Sequence, residues 1–334
     1  MHIKGYAVRQ AKLSLEKFEY KAEELGAWDV EIAITHCGIC HSDIHLIDDD
    51  WHISQYPLLP GHEIIGQIVA AGARVNHLHI GQRVGVGWQR SACLKCEQCL
   101  AGDDNLCEES HATCVGHYGG FAESIRTDSR FVFAIPDRLS SENAAPLLCA
   151  GITVYSPLKH FHVRPSMKAG VIGIGGLGHL ALQFTRAFGC EVTAFSTSPD
   201  KEAEAKSFGA HHFINSRDPS QMQTAAGKLD FILSTVFADL DWTGYMNLLK
   251  PRGNLCFVGA AASPVQIPVF SLITGQKSIS GSPIGSRSAM NEMLEFAARH
   301  NIKAKTEVLP MTEVNRAIQK VRDNKARYRM VLVN

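Results

Sequence analysis

The strongest restriction on the fold is a glycine-spaced turn, Gly173-x-Gly175-x-x-Gly178, standing between a short apolar run and an amphipathic stretch. Residues 169–174 read as a buried strand and residues 177–188 as a helix, so the glycines occupy a strand-to-helix corner. At such a corner the first glycine permits the tight turn and the second lets a pyrophosphate approach the main chain. The third lets the helix close on the strand. Gly176 and Leu177 complete the loop, and the helix N-terminus supplies free N–H groups for phosphates. Alone the pattern is weak. A second strand at 191–195 and strand-like runs at 212–215, 230–235, 255–259 and 277–281 set it in a βαβ series. That series predicts an α/β domain with a doubly wound parallel sheet of six strands.

The end of the second strand selects the cofactor. Sites that take NAD usually place Asp or Glu there, on the ribose hydroxyls. This chain has Ser196-Thr197-Ser198-Pro199-Asp200-Lys201. A carboxylate at position 196 would repel a 2′-phosphate, whereas the hydroxyls of Ser196, Thr197 and Ser198 and the cation of Lys201 would bind one. The turn therefore points to NADP(H), with an ordinary capped entry into the next helix as the bland alternative. Thr153, upstream, joins the cofactor-binding candidates.

Before residue 168 the texture is different. At 334 residues the chain exceeds what one core usually serves, so two domains are expected. Lys+Arg and Asp+Glu are both 33, and without a basic patch nucleic acid is an unsuitable partner. No apolar run reaches membrane-spanning length and no signal-peptide core follows Met1, so a soluble cytoplasmic protein is expected, with no membrane partner. The ten cysteines are distributed unevenly, four of them between positions 93 and 107. In a reducing compartment clustered cysteines bind metal or do chemistry.

Two motifs in this half carry donor atoms for a metal. One is Cys37-Gly38-Ile39-Cys40-His41-Ser42-Asp43, after a strand-like 30–34; the other is Pro60-Gly61-His62-Glu63-Ile64-Ile65-Gly66, at the entrance to a strand at 67–72. With Cys149, which lies near the end of a helical pattern over 140–150, they form a candidate Cys₂His set for a catalytic zinc with one position left open. Within the first motif each polar residue has a candidate task. Ser42 offers a hydroxyl through which a proton leaves a substrate oxygen, and His45 hands it to solvent. Asp43 holds the far nitrogen of His62, and His41 reaches a phosphate. Taken alone, residues 37–43 are as well explained as a polar turn around a buried cysteine; the His62-Glu63 pair shifts the balance.

Cys93, Cys96, Cys99 and Cys107 are spaced C-x₂-C-x₂-C-x₇-C, which suits a closed, structural Cys₄ zinc. An iron–sulfur cluster is the rival, and the gap of seven without a following proline fits it poorly. Strand-rich pattern resumes at 119–123 and 130–136. After the parallel-sheet region come helices at 290–300 and 313–323 and a closing strand at 328–333.

The order and spacing of Cys40-His41-Ser42-Asp43, Gly61-His62-Glu63-x-x-Gly66, the four-cysteine lobe, residues 146–151 and Gly173–His179 resemble the zinc-containing medium-chain dehydrogenase/reductase superfamily. The chain looks most like its cinnamyl-alcohol-dehydrogenase-like branch, especially the bacterial NADPH-dependent aldehyde reductases. The resemblance spans essentially the whole chain. It implies a GroES-like β-rich catalytic domain, residues 1–150 and 287–334 with the zinc lobe at about 93–107, and a Rossmann NADP-binding domain, residues 151–286. It implies an active site in the cleft between them and two zinc ions per chain. Cys40, His62 and Cys149 would hold the catalytic ion, with Glu63 an alternative ligand, and Ser42 matches the proton-relay hydroxyl. A homodimer formed by edge strands around 277–282 is implied as well. The expected reaction interconverts an aldehyde and a primary alcohol, with Trp51 and Tyr118 as candidate pocket residues. The competing readings are an NAD-dependent zinc alcohol or polyol dehydrogenase, a zinc-free quinone reductase, which would lack the ligand set, and a non-catalytic nucleotide-binding protein.

Overall fold

The computed structural model describes residues 1–259 and 263–334. It divides into two compact units, Met1–Ile152 with Gly285–Asn334, and Thr153–Ile284.

The first unit is built on the strand Asp29–Ile39, longer than the alternation at 30–34 predicts because the pairing continues to the metal-ligand motif. One edge pairs antiparallel with Glu63–Ala71. The other edge is shared: Ser124–Asp128 takes the N-terminal half and Arg329–Val333 the C-terminal half, both antiparallel. Arg83–Val86 and Val132–Ala134 extend the sheet on one side, and Thr306–Pro310 completes its seven strands on the other. A fully buried set including Ile32, Ile39, Leu46, Ile47, Leu59, Ile64 and Phe121 fills the core. Helix Val314–Arg322 adds Val314, Ala317, Ile318 and Val321, the i, i+3, i+4, i+7 stripe of an amphipathic helix.

Three local expectations need correction. Residues 37–43 are not a free-standing turn, since Cys37 to Ile39 end the strand and Cys40 is the N-cap of helix His41–Asp48. The helix expected over 140–150 breaks into Ser141–Ala144, a 3₁₀ turn Ala145–Leu148, and a new helix Ala150–His160. Pro146 brings no N–H to an α-helical ladder, and Cys149 stands between the two pieces at φ −124, ψ −70. Residues 119–123 form no strand of their own; Ala122 makes one isolated bridge to Gly5.

The second unit carries the expected six-stranded sheet, all parallel, in the order His212–Asn215, Glu191–Ser196, Lys168–Ile172, Leu229–Ser234, Leu249–Phe257, Ser278–Gly281. Strand order reverses between Lys168–Ile172 and Leu229–Ser234, and sheets of this kind bind ligands outside the carboxyl ends of the strands at such a reversal. The strand Lys168–Ile172 delivers the chain to Gly173, at φ +86, and helix Gly178–Ala187 follows. A side chain at Gly178 would put its Cβ 1.8 Å from the Gly173 carbonyl oxygen, so the third glycine is required by the close approach of helix and turn.

Gly66 tests the packing of the first sheet. A Cβ there would lie 2.2 Å from the Ala33 carbonyl oxygen on the central strand, where main chain cannot yield cheaply. Gly66→Ala is expected to lower stability by about 1–3 kcal/mol, read as a fall in the urea midpoint.

Candidate active site and metal centres

Asp43, on helix His41–Asp48, joins the two ligand motifs. Its Oδ2 accepts the Cys40 N–H at 2.9 Å, and its Oδ1 accepts the Gly61 N–H at 2.9 Å and the His62 Nδ1–H at 3.0 Å. All of this is buried, Asp43 and His62 being fully so. Gly61 holds φ +99, and a Cβ on it would strike Phe121 and the Cys37 sulfur, so only glycine lets the motif turn in here. With Nδ1 committed to Asp43, the imidazole presents Nε2 to its other side, the usual carboxylate–histidine device at metal sites.

That Nε2 is buried and has no hydrogen-bond partner among the described residues. Around it the Cys40 and Cys149 sulfurs stand 3.8 Å apart, and the donor atoms of Cys40, His62, Glu63 and Cys149 all lie within 4.8 Å of one another. Two sulfurs bound to a tetrahedral zinc at about 2.3 Å are about 3.8 Å apart. An orphaned imidazole nitrogen beside two thiols at that spacing fits zinc. The neighbouring Cys149 sulfur draws the Cys40 pKa well below the ordinary thiol range, and in the same shared arrangement Cys40 pushes Cys149 well above it.

Glu63 begins the strand that follows. One carboxylate oxygen accepts from the Arg329 guanidinium on the closing strand, and the other has no hydrogen-bond partner among the described residues. Both side chains are buried, Arg329 at 3% exposure. Burial raises the Glu63 pKa to about 7, against the lowering effect of Arg329. Gly38 gives the carboxylate its room, since a Cβ there would meet Oε2 at 2.0 Å.

Ser42 follows on the helix, its hydroxyl 3.6 Å from Cys40 Sγ. One turn on, His45 Nδ1 meets Asp50 at 2.8 Å and its ring lies 5.0 Å from Trp51. Trp51 in turn is 6.1 Å from Trp88, which stands edge-on to His62 at 4.9 Å. Trp51 therefore belongs to the surroundings of the ligand set, whereas Tyr118 packs on Tyr20 at 4.2 Å and Phe18 at 5.4 Å. His41 is half-buried, 6.5 Å from the His45 ring.

The four-cysteine lobe forms a second cluster. Cys93, Cys96, Cys99 and Cys107 bring their sulfurs within 4.8 Å of one another, with Cys93 and Cys99 at 3.9 Å. Cys96 caps the short helix Glu97–Ala101, and its N–H donates to Cys93 Sγ at 3.3 Å. The N–H groups of Lys95 and Cys96 bring the Cys93 pKa down to about 7, which prepares a thiolate ligand. The spacing again fits zinc, here with four sulfur donors and no open position.

In the other unit, the glycine turn is held from both sides. Thr235 Oγ1 donates to the Gly173 carbonyl at 3.1 Å, and the buried His179 ring lies 3.0 Å from the Gly175 carbonyl. A Cβ on Gly175 would meet nothing within 4 Å, so space above the main chain stays open. Open space over a glycine turn at a helix N-terminus fits a cofactor pyrophosphate. Leu177 and Gly176 line this turn, and Thr153 is buried in helix Ala150–His160. At the end of Glu191–Ser196, Ser196 is buried and its Oγ accepts the Ser198 N–H at 3.1 Å, while Thr197 is exposed. Lys201 Nζ donates to the Ile174 carbonyl at 2.8 Å.

Several neighbours of the site escape a reading of motifs. Arg329 is legible only as the last cation of Lys325-Ala326-Arg327-Tyr328-Arg329, before the apolar run Met330–Val333, and Trp88 as an aromatic after a buried strand. Asp50 is five residues from its partner His45 but closes a run of three acids that reads as solvated surface. Cys114 is fully buried, close enough to count with Asp43 and His62 as a third group of donors.

A parallel nucleotide-type sheet in one unit, and in the other a Cys₂His(Glu) set plus a Cys₄ lobe, define a zinc-dependent dehydrogenase. Two family models match: the alcohol dehydrogenase GroES-like domain over residues 26–137, and the zinc-binding dehydrogenase domain over residues 176–299. The chain belongs to the zinc-containing medium-chain dehydrogenase/reductase family, in its cinnamyl-alcohol-dehydrogenase-like branch. It is 46% identical to aldehyde reductase AdhA of Synechocystis sp. over 330 residues, 99% of this chain and 98% of the relative. Among solved structures it is similar to a cinnamyl alcohol dehydrogenase of Sorghum bicolor, with TM-score 0.96, 38% identity and coverage of 100% and 98%. The Helicobacter pylori cinnamyl alcohol dehydrogenase complexed with NADP(H) gives TM-score 0.92, 34% identity and the same coverage.

The buried Glu63–Arg329 pair yields a measurable consequence. Arg329→Met strands a buried carboxylate, so a loss of about 3–5 kcal/mol is expected in urea denaturation. Glu63→Gln added to that variant should recover part of the loss.

Proposed function

We propose that this protein is a zinc-dependent alcohol dehydrogenase working as an aldehyde reductase, interconverting an aldehyde and a primary alcohol with NADP(H). The observation that carries the reading is the buried His62 Nε2, without a hydrogen-bond partner among the described residues, beside the Cys40 and Cys149 sulfurs, 3.8 Å apart. The names of the Synechocystis and Sorghum relatives support the substrate class, and the NADP(H) complex of the Helicobacter relative supports the cofactor.

Cys40, His62 and Cys149 would hold the catalytic zinc, with Glu63 as alternative ligand, and Cys93, Cys96, Cys99 and Cys107 the structural one. Bound there, zinc supplies a Lewis acid that polarises a carbonyl, and the nicotinamide supplies the hydride. The protein's own contribution is alignment and proton movement. Asp43 holds the imidazole of His62 by its far nitrogen. In reduction, Ser42 gives its proton to the substrate oxygen and is reprotonated from His45, three residues further along the same helix face. Asp50 and Trp51 hold that ring in place. Trp88 and Trp51 provide an apolar wall beside the ligand set. The Gly173–Gly178 turn takes the pyrophosphate and His41 a phosphate oxygen. Ser196, Thr197, Ser198 and Lys201 take the 2′-phosphate, a site with no acid at position 196.

The protein also pairs with a second copy of itself. Ser278–Gly281 is the last strand of its sheet, and exposed Val269, Phe270, Ile273 and Ile279 lie on and just before it. An uncovered strand edge beside exposed apolar side chains favours pairing.

Steady-state kinetics with NADPH and NADH across aliphatic and aromatic aldehydes, with metal content measured on the same sample, tests the reading. NADPH should be preferred, and Cys40→Ser should abolish turnover while NADPH still binds; full activity of that variant in metal-free buffer would sink the mechanism. Sedimentation equilibrium is expected to give twice the chain mass of 36.5 kDa.

A further inference from the structure

Strand His212–Asn215 is the outer strand of the second unit's sheet and runs parallel to Glu191–Ser196, with Asn215 level with Ser196. The pairing continues one residue past the outer strand, because the Ser216 N–H donates to the Ser196 carbonyl at 2.9 Å. Arg217 comes next. Its main chain therefore leaves the sheet beside residues 196–198, the segment at which a cofactor ribose is bound in such sheets.

The backbone at this point is held firmly. Asn215 Oδ1 accepts the Arg217 N–H at 3.0 Å, and the Asn215 N–H donates to Gln221 Oε1 at 2.9 Å. The neighbouring acid, Asp218, is engaged in capping helix Pro219–Thr224, accepting from the Ser220 N–H at 2.9 Å and from the Gln221 side chain at 3.0 Å. Arg217 itself is exposed, and its guanidinium has no hydrogen-bond or ion-pair partner among the described residues.

Lys201 is differently placed. Its ammonium spends a hydrogen bond on the Ile174 carbonyl, inside the glycine turn, which leaves it fewer N–H groups for a phosphate at Ser196. Asp200, an exposed acid of the same turn, adds negative charge next to Ser198. A phosphate at the end of Glu191–Ser196 thus needs a cation beyond Lys201, and a guanidinium matches two phosphate oxygens at once.

We propose that Arg217, reaching over from the adjacent strand's loop, binds the cofactor's 2′-phosphate together with the Ser196 hydroxyl, and carries more of the preference for NADPH over NADH than Lys201 does. The proposal rests on the NADP(H) reading above and assigns its specificity to a particular side chain.

Calorimetry on the full-length zinc-loaded protein separates the two. Titrations use NADPH, NADH, 2′,5′-ADP and 5′-AMP, with thermal melting to confirm folding of each variant. Arg217→Ala is expected to weaken NADPH and 2′,5′-ADP about tenfold, the worth of a charge-assisted bond, and to shift NADH and 5′-AMP far less. Arg217→Lys should restore part of the loss, and Lys201→Ala should lower the preference for NADPH over NADH by less than Arg217→Ala does. Unchanged 2′,5′-ADP binding by Arg217→Ala overturns the proposal, as does an equal loss for 2′,5′-ADP and 5′-AMP, which marks a merely structural residue. A wild-type protein that prefers NADH would instead defeat the NADP(H) reading, before any substitution is made.

Discussion

The site depends on one buried carboxylate. Asp43 gathers the Cys40 N–H, the Gly61 N–H and the His62 ring N–H, so it ties the start of a helix to a glycine corner and to a prospective metal ligand. A carboxylate removed from water is costly unless its lone pairs are used, and three donors use them. The arrangement works in both directions. The acid is made tolerable by the donors, and the donors are placed by the acid. His62 then has one nitrogen left over, aimed among sulfur atoms, and that surplus is what makes the cluster a metal site rather than a buried polar network.

The two units show how differently a fold can be written. In the parallel sheet nearly every strand is a short apolar run between turns, and the glycine corner marks the first strand-to-helix turn, so its six strands were readable within a residue or two, except that Leu249–Phe257 begins well before the run at 255–259. Its early residues pair irregularly, and their polar composition carries no strand signal. The first unit is assembled from distant pieces. Its central strand takes partners at residues 63–71, 124–128 and 329–333, and no local pattern announces such joins.

The same contrast governs the site. Cys40, His62 and the lobe cysteines carry chemically distinctive side chains in tight spacing or motif context, so they stood out as candidates, while Cys149 became one only because the set needed a third ligand; the structure gathers these donors into two groups. Arg329 did not stand out, because its meaning comes from Glu63, 266 positions away. Trp88 likewise gains a role only from lying edge-on to His62. Where a helix was expected across Cys149, a proline-bearing turn intervenes, and that interruption gives the cysteine a backbone setting that an unbroken helix would not.

The strand Arg329–Val333 has a consequence for how the protein is made. It fills one edge of the central strand and carries the guanidinium that neutralises Glu63, yet the ribosome synthesises it after all the candidate ligands and after the whole of Thr153–Ile284. A nascent chain can therefore complete its nucleotide unit while the sheet bearing Cys40 and His62 still has an open edge and an unanswered buried charge. Completion of the metal centre's surroundings thus waits on Arg329–Val333, and chains cut short near residue 328 would hold the nucleotide unit formed and the catalytic unit unfinished.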